Sequence, residues 1–394
     1  MDPIQIKTMD NFISQKVNNI SPSGIRKFFD LLSSLEGVIS LGVGEPDFVT
    51  PWHIREAATY SLERGYTMYT SNYGMLELRQ ELAGYLERHY GVSYQHEREI
   101  LVTVGVSEGL DLALRAILNP GDEVIIPEPW YVSYPPCVIL AGGIPVFVPT
   151  SKQNNFVLKA EDVEPLINKH TKAILIGYPS NPTGAVMSRE ELSKIARLAQ
   201  KYNLLVISDE IYARLVYGVE HTCFASLPGM REQTILLGGF SKAFAMTGWR
   251  IGYLAANQQL IEAMLKIHQY TMLCVPTMSQ MAAIEALRSG EDDVDKMVKE
   301  YDRRRKFIVK RLNEIGLPCF EPKGAFYAFP SIEATGMNSE EFAERLLMEE
   351  RVAVVPGSAF GQCGEGFVRC CYATSLANIE EALKRMGRFV KKNR

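Results

Sequence analysis

Four short stretches carry side chains that could do chemistry. In GGFSKAFAMTGWRIGY, Lys242 is flanked by Phe240, Ala243, Phe244 and Ala245, with Ser241 before it and Arg250 beyond. Apolar neighbours desolvate an amine and lower its pKa from a reference of about 10.4. A neutral lysine can attack an aldehyde, and a serine hydroxyl with an arginine suits a phosphate dianion. A lone lysine would more often lay its stem on apolar surface and keep its ammonium in water. Ser241, Lys242 and Arg250 together, with Gly238, Gly239 and Gly248 allowing close backbone approach, favour a reactive site.

The other three stretches gain force from this one. Asp209 ends the apolar run NLLVISDE, so its charge sits at the edge of a buried strand and needs a partner. A protonated ring nitrogen is one such partner, and the pair would keep a bound heterocycle electron-withdrawing; capping the next helix is the alternative. In YPSNPTG, Asn181 lies between Pro179 and Pro182, outside any regular element, where its amide could hydrogen-bond a cofactor oxygen or simply serve a turn. In TVGVSEGLDLALRAIL, a β-run ending at Gly105 leads into an amphipathic helix beginning near Ser107. The free N–H groups there suit a phosphate, although Ser107 also reads as an ordinary N-cap. GVGEPD, at residues 42–47, lacks the third glycine of a dinucleotide loop and carries Pro46, so no NAD site is expected.

These side chains need a scaffold. Between residues 98 and 256, EILVTVG, EVIIPEP, IPVFVPT, KAILIGYP, LLVISDE, TILLGGF and IGYLAA are mostly separated by helical stretches such as SREELSKIARLAQKYN. Strands alternating with helices, apolar at both alternating positions, predict an α/β fold with a mostly parallel central sheet flanked by helices. Ligands of such sheets gather at the C-terminal strand ends. Beyond Gly290 come long charged helices, then GAFYAFP, VAVVPG and FVRCCYA, and a closing helix NIEEALKRMGRFVKK. This predicts a large domain over 48–289 and a smaller α+β domain made of 1–47 and 290–394.

A chain of 394 residues exceeds the size at which single cores usually divide. Its net charge of −4 and lack of a basic patch with interleaved aromatics exclude a phosphate-backbone binder. The basic run at residues 303–306 reads as a solvated helix face. Seven cysteines without CxxC spacing suggest neither disulfides nor a metal site, but buried thiols in a reducing cytoplasm. No signal-peptide core and no long apolar run is present, so a soluble, cytoplasmic protein without membrane contact is expected.

LGVGEPDF, YTSNYGMLELR, TVGVSEGLD, PWYVSY, YPSNPTGAV, SDEIYARLVY, GFSKAFAMTGWRIGY, PKGAFYAFP and VAVVPGSAFG follow one another along nearly the whole chain. In this order they resemble the class I and II aminotransferases of fold type I, closest to the prokaryotic aspartate and archaeal aromatic subgroup. The resemblance implies that Lys242 carries pyridoxal 5'-phosphate as a Schiff base, Asp209 partners the pyridine nitrogen, Asn181 and Tyr212 donate to the phenolate, and Tyr131 stacks on the ring. It implies that Val106, Ser107, Ser241 and Arg250 hold the phosphate, with Tyr69 reaching it from the neighbouring subunit of a homodimer. Arg369 would grip the substrate α-carboxylate beside the Gly44 backbone, with Tyr131 and Asn181 also facing the substrate. Val106 stands where many relatives carry a small residue, and Tyr131 replaces the tryptophan of some aspartate-specific members.

The implied reaction moves an α-amino group to a 2-oxo acid by ping-pong kinetics, with aromatic or acidic donors favoured. Trp130, Tyr134, Tyr270 and Phe28 are candidate walls of an apolar pocket. YPSNPTG and KIHQYTMLCVPTMSQ are also similar to transaminases of acylated diaminopimelate, and the same cofactor site supports a carbon–sulfur β-lyase. A transcription regulator with such a domain would need a DNA-binding domain ahead of motifs that here begin by residue 41. The segment SPSGIRKFFD is expected to close over bound substrate.

Overall fold

The computed structural model describes residues 12–20 and 35–394. A short strand β1 (Ile39–Ser40) is followed by the seven expected apolar runs, β2 (Ile100–Thr103), β3 (Glu123–Glu128), β4 (Ile144–Pro149), β5 (Thr171–Ile176), β6 (Leu205–Asp209), β7 (Thr234–Gly239) and β8 (Gly252–Ala255). They form one sheet in the order β2-β8-β7-β6-β5-β3-β4. Strand β8 runs antiparallel to β2 and β7, and the remaining pairings are parallel.

Successive strand side chains point to opposite faces, and here both faces are dry. Leu101, Ile207 and Leu237 pack beneath the helices Gly105–Ile117, Tyr134–Leu140 and Gln258–Thr271. On the opposite face, Val102 and Leu236 meet the helices Leu76–Tyr90 and Thr277–Ser289, while Ile174 and Val206 meet Arg189–Lys201. That last helix shows how sequence dictates the local fold: Ser188 and Glu191 close a reciprocal capping box. Leu192, Ile195, Ala196 and Ala199 recur at helical spacing and are buried.

A second core gathers at the other end of the chain. Strand β9 (Tyr327–Ala328) pairs antiparallel with β12 (Val368–Cys371), which also pairs with β11 (Val355–Pro356). Strand β10 (Val352–Ala353) pairs parallel with β1, tying the N-terminal segment to this layer. The helices Glu291–Glu314, Ser339–Glu350 and Leu376–Lys392 cover it, burying Leu41, Tyr301, Phe326, Phe342, Tyr372 and Phe389 together.

Three expectations are corrected here. The basic run at 303–306 is only half a solvated face: the side chains of Arg303 and Lys306 are 59% and 66% exposed, but those of Arg304 and Arg305 are 7% and 3% exposed. Arg304 pairs with Asp47 at 2.8 Å and with Glu300 at 2.9 Å, while Arg305 pairs with Asp302 at 2.7 Å and Glu321 at 2.6 Å. A buried guanidinium is tolerated because its charge is matched and its plane lies on aromatic rings, Arg304 over Phe48 and Arg305 over Tyr217. The thiols are all free, but only Cys223, Cys319, Cys370 and Cys371 are fully buried; Cys137, Cys274 and Cys363 are intermediate. The helix placed near Ser107 begins at Gly105, with Val104 as its N-cap. The Glu108 carboxylate accepts the N–H of Val104 itself at 2.5 Å, and no side chain caps the N–H groups of the first turn. Among the described residues, no helix is long and apolar enough to cross a membrane.

Candidate active site

The C-terminal ends of β2, β3, β5, β6 and β7 open onto one cavity of about 590 Å³. The turn after β2 supplies Val106 and Ser107, the loop after β3 supplies Tyr131, and the loop after β5 supplies Asn181. Asp209 is the last residue of β6, and Ser241 and Lys242 follow β7. Tyr212, Arg250, Arg369 and Gly44 complete the lining. Residues 325 positions apart in sequence thus meet at the edge where an α/β sheet places its ligands.

Lys242 is held by the opposite wall. Its Nζ donates to the Gly44 carbonyl at 2.7 Å and lies 5.9 Å and 5.8 Å from the ring centres of Tyr212 and Phe326. Burial pushes its pKa down to about 8; nearby Cys371 and Glu45 oppose this, and the positive Arg369 and Arg250 reinforce it. This is the desolvated amine that the surrounding phenylalanines and alanines predict.

Asp209 is buried and saturated on one side. Tyr134 Oη donates to its Oδ2 at 2.8 Å, and the Ile211 N–H donates to Oδ1 at 3.2 Å. Burial drives the carboxyl up to about 6 despite those two hydrogen bonds. The helix-cap alternative fails because no helix follows β6 directly, so the bond from the Ile211 N–H belongs to a local turn.

Arg369 comes from the second core. It lies on β12 two residues from Cys371, the register partner of Tyr327 on β9, so its guanidinium crosses the Tyr327 ring at 4.5 Å. It also lies 5.0 Å from the centre of the Phe360 ring. Nη1 donates to Asn181 Oδ1 and Nη2 to the Gly42 carbonyl, each at 2.7 Å, while Nε is buried without a partner. Asn181 therefore sits between the two cores.

At the opposite end the turn after β2 is bare backbone facing a guanidinium. A Cβ on Gly105 would stand 2.8 Å from Arg250 Nη2, and one on Gly252 would stand 2.8 Å from the Val106 nitrogen. Glu108 braces the turn, accepting from Val104 and pairing with buried His268 at 2.6 Å.

Tyr69 is placed elsewhere: it is 83% exposed and outside this cavity. Trp130 stacks on Phe147 with centroids 4.0 Å apart, and Tyr270 is 86% exposed, so neither lines the cavity. Phe28 and the segment SPSGIRKFFD lie outside the described residues. Two hydroxyls were missed. Tyr327 shares a hydrogen bond with Tyr212 at 2.7 Å, and Tyr134, read only as an apolar wall, has its hydroxyl on Asp209. The spacing of Tyr131 and Tyr134 on one turn was the available signal for the latter.

A family model described as aminotransferase class I and II matches residues 36–386. A Bacillus subtilis (strain 168) protein named as an aminotransferase is 58% identical over 384 residues, covering 98% of this chain and 100% of its own. An aspartate aminotransferase of Pyrococcus abyssi is 48% identical over 385 residues, covering 97% and 99%. The crystal structure of an aromatic aminotransferase from Pyrococcus horikoshii OT3 superposes with a TM-score of 0.89 at 47% identity, covering 93% of this chain and 99% of that one. With a family match across both cores and relatives aligned almost end to end, the chain belongs to the class I and II aminotransferases and is an enzyme that transfers amino groups.

Proposed function

We propose that the enzyme uses pyridoxal 5'-phosphate in this cavity, in a ping-pong exchange between an amino acid and a 2-oxo acid. The observation that carries the reading is the distribution of charge: Asp209 at the cavity floor, Lys242 on its wall, Arg250 beside a bare turn and Arg369 at the far end. The residues fit the cofactor. Gly105 and Gly252 leave a cradle that a Cβ would fill, next to Arg250, and Ser107 and Ser241 add hydroxyls for a phosphate. When bound, the cofactor supplies an electron-withdrawing ring that stabilises negative charge at the substrate Cα.

The protein's own groups do the rest. Asp209 would hold a proton on the ring nitrogen, Asn181 and Tyr212 would donate to the ring oxygen, and Tyr131 would cover the ring. Lys242 would anchor the cofactor covalently, and its freed Nζ would take and return the Cα proton. A pKa of about 8 suits that role, because an amine near neutrality can both accept and donate. Arg369 takes the α-carboxylate as a bidentate fork beside the Gly44 backbone.

Among the described lining residues, the cations are Lys242, Arg250 and Arg369, and each has an assigned partner. The remaining walls include Leu110, Tyr131, Ile211 and Tyr327. This favours an aromatic donor over an acidic one. Initial rates with single donors test it: aromatic amino acids should show the higher kcat/KM, and a preference for aspartate would reverse the order. Pyruvate and ammonia released from cystathionine would identify a lyase.

The two cores support a large domain over 48–289 and a small domain in which 290–394 joins the described residues 35–47, while the short helix Gln15–Asn18 lies against Tyr134–Leu140 of the large one. A homodimer is supported by the exposed apolar surface of Trp52, Met68, Tyr69, Tyr270 and Met272, across which Tyr69 would reach the partner's phosphate. Free thiols throughout support a cytoplasmic location.

A further inference from the structure

The cofactor reading leaves the bond between Tyr134 and Asp209 without a purpose. Tyr134 opens the helix Tyr134–Leu140 after β3, is 5% exposed, and points across the sheet end to β6, where Oη meets Asp209 Oδ2 at 2.8 Å. Its ring stands edge-on to Tyr131, with centroids 5.5 Å apart. The path of the hydroxyl is cleared by a third residue. A Cβ on Gly177, just past β5, would lie 2.3 Å from Tyr134 Oη, closer than any real Cβ approaches an oxygen. Gly177 does not adopt a positive φ, so its backbone does not itself demand glycine. The bare position is accounted for by the space the hydroxyl needs.

We infer that Tyr134 is a positioning residue for Asp209, with Gly177 the clearance that lets its hydroxyl reach the carboxylate. The bond ties down Oδ2, and Ile211 N–H touches only Oδ1. The carboxylate plane is thereby fixed, with each oxygen accepting one bond and keeping capacity for one further donor. A donated O–H also stabilises the ionised form that must pair with a protonated ring, against a burial that disfavours it. The other charged or titratable groups felt by Asp209 are Glu210, which opposes its ionisation, and Lys242, which favours it. Glu210 is itself engaged by His221, Ser208 Oγ and the Phe224 N–H.

The inference rests on the cofactor reading for its purpose but is tested first without the cofactor. In apoprotein carrying 13C-carboxyl aspartate, the Asp209 resonance is assigned by its loss in Asp209→Asn, and its titration midpoint is followed in Tyr134→Phe, Gly177→Ala and the double variant. Removing the hydroxyl should raise the midpoint by roughly 0.5 to 1 unit, a hydrogen bond's worth. Gly177→Ala should raise it in the same direction by displacing the hydroxyl while keeping every polar side chain, and adding it to Tyr134→Phe should move the midpoint no further. An unchanged midpoint in Tyr134→Phe, or equal extra shifts in the double variant, overturns the inference. If Tyr134→Phe does not fold, Gly177→Ala alone decides: a raised midpoint supports the inference and an unmoved one refutes it. With 15N-labelled pyridoxal phosphate bound, both variants should also lower the pH to which the ring nitrogen stays protonated. A shifted Asp209 midpoint in a protein that binds no cofactor would overturn the cofactor reading and leave the Tyr134–Asp209 bond standing.

Discussion

The Lys242 amine and the Gly44 carbonyl, 198 residues apart in sequence, are hydrogen-bonded at 2.7 Å across the cavity. Gly44 follows β1, which pairs with β10 of the second core, so the residue on which chemistry turns is held between the two cores. Displacing that amine requires exchanging the Gly44 contact for substrate.

Lys242→Ala should lower turnover by about 10² to 10⁴ or more, the usual value of a positioned acid–base group. The cofactor should still bind, weakly, through the phosphate and ring contacts. Steady-state rates and equilibrium dialysis check the two halves separately.

Arg369→Lys keeps the charge but loses the planar fork and the stacking on Tyr327 and Phe360. The expected result is a 10- to 100-fold fall in kcat/KM, about 1.4 to 2.8 kcal/mol, borne mainly by KM. A kcat effect with unchanged KM would place Arg369 away from the α-carboxylate.

Tyr69→Phe removes a hydroxyl that the protomer leaves in solvent. Pyridoxal phosphate should bind about tenfold more weakly in the dimer, roughly the 1.4 kcal/mol of one hydrogen bond to a charged group. Cofactor affinity measured at protein concentrations above and below dimer dissociation checks it, and an unchanged affinity would remove Tyr69 from the phosphate site.

His53 bridges Glu285 at 2.8 Å and Asp293 at 3.0 Å between three helices. Burial opposes its protonation, but the hydrogen bonds to Asp293 and Glu285 outweigh it and raise the pKa above 6.5. A raised histidine contributes its stability fully below the unfolded pKa and loses it as pH rises through the folded one. The melting-temperature gap between wild type and His53→Gln should therefore be larger at pH 6 than at pH 9.

Arg304→Met removes the buried partner of Asp47 and leaves that carboxylate without its ion pair, while Glu300 keeps Arg303. Destabilisation of about 3 kcal/mol is expected by denaturant titration. Asp47 lies on the segment carrying Gly44, so cofactor retention should weaken along with stability.

The strands and Lys242, Asp209 and Asn181 were legible because each is announced locally, by an apolar run ending in a charge or by prolines that stop a strand. The Tyr134 and Tyr327 hydroxyls were not, because their partners are 75 and 115 residues away and no local pattern encodes a register between distant strands. Arg304 and Arg305 misled for the same reason: a charge run looks solvated until Asp47 and Glu321 arrive from elsewhere. The helix starts at Gly105 without any capping side chain, so Ser107, the residue that reads as an N-cap, falls inside its first turn.

The measurement that bears most directly on the central claim is the absorption spectrum of the purified enzyme loaded with pyridoxal phosphate, titrated with one amino acid at a time and no oxo acid. The account predicts that the band of the lysine-bound cofactor gives way to that of its amino form, with stoichiometric 2-oxo acid released and aromatic amino acids acting at the lowest concentration. A spectrum unchanged by every amino acid, in wild type and in Lys242→Ala alike, would contradict it.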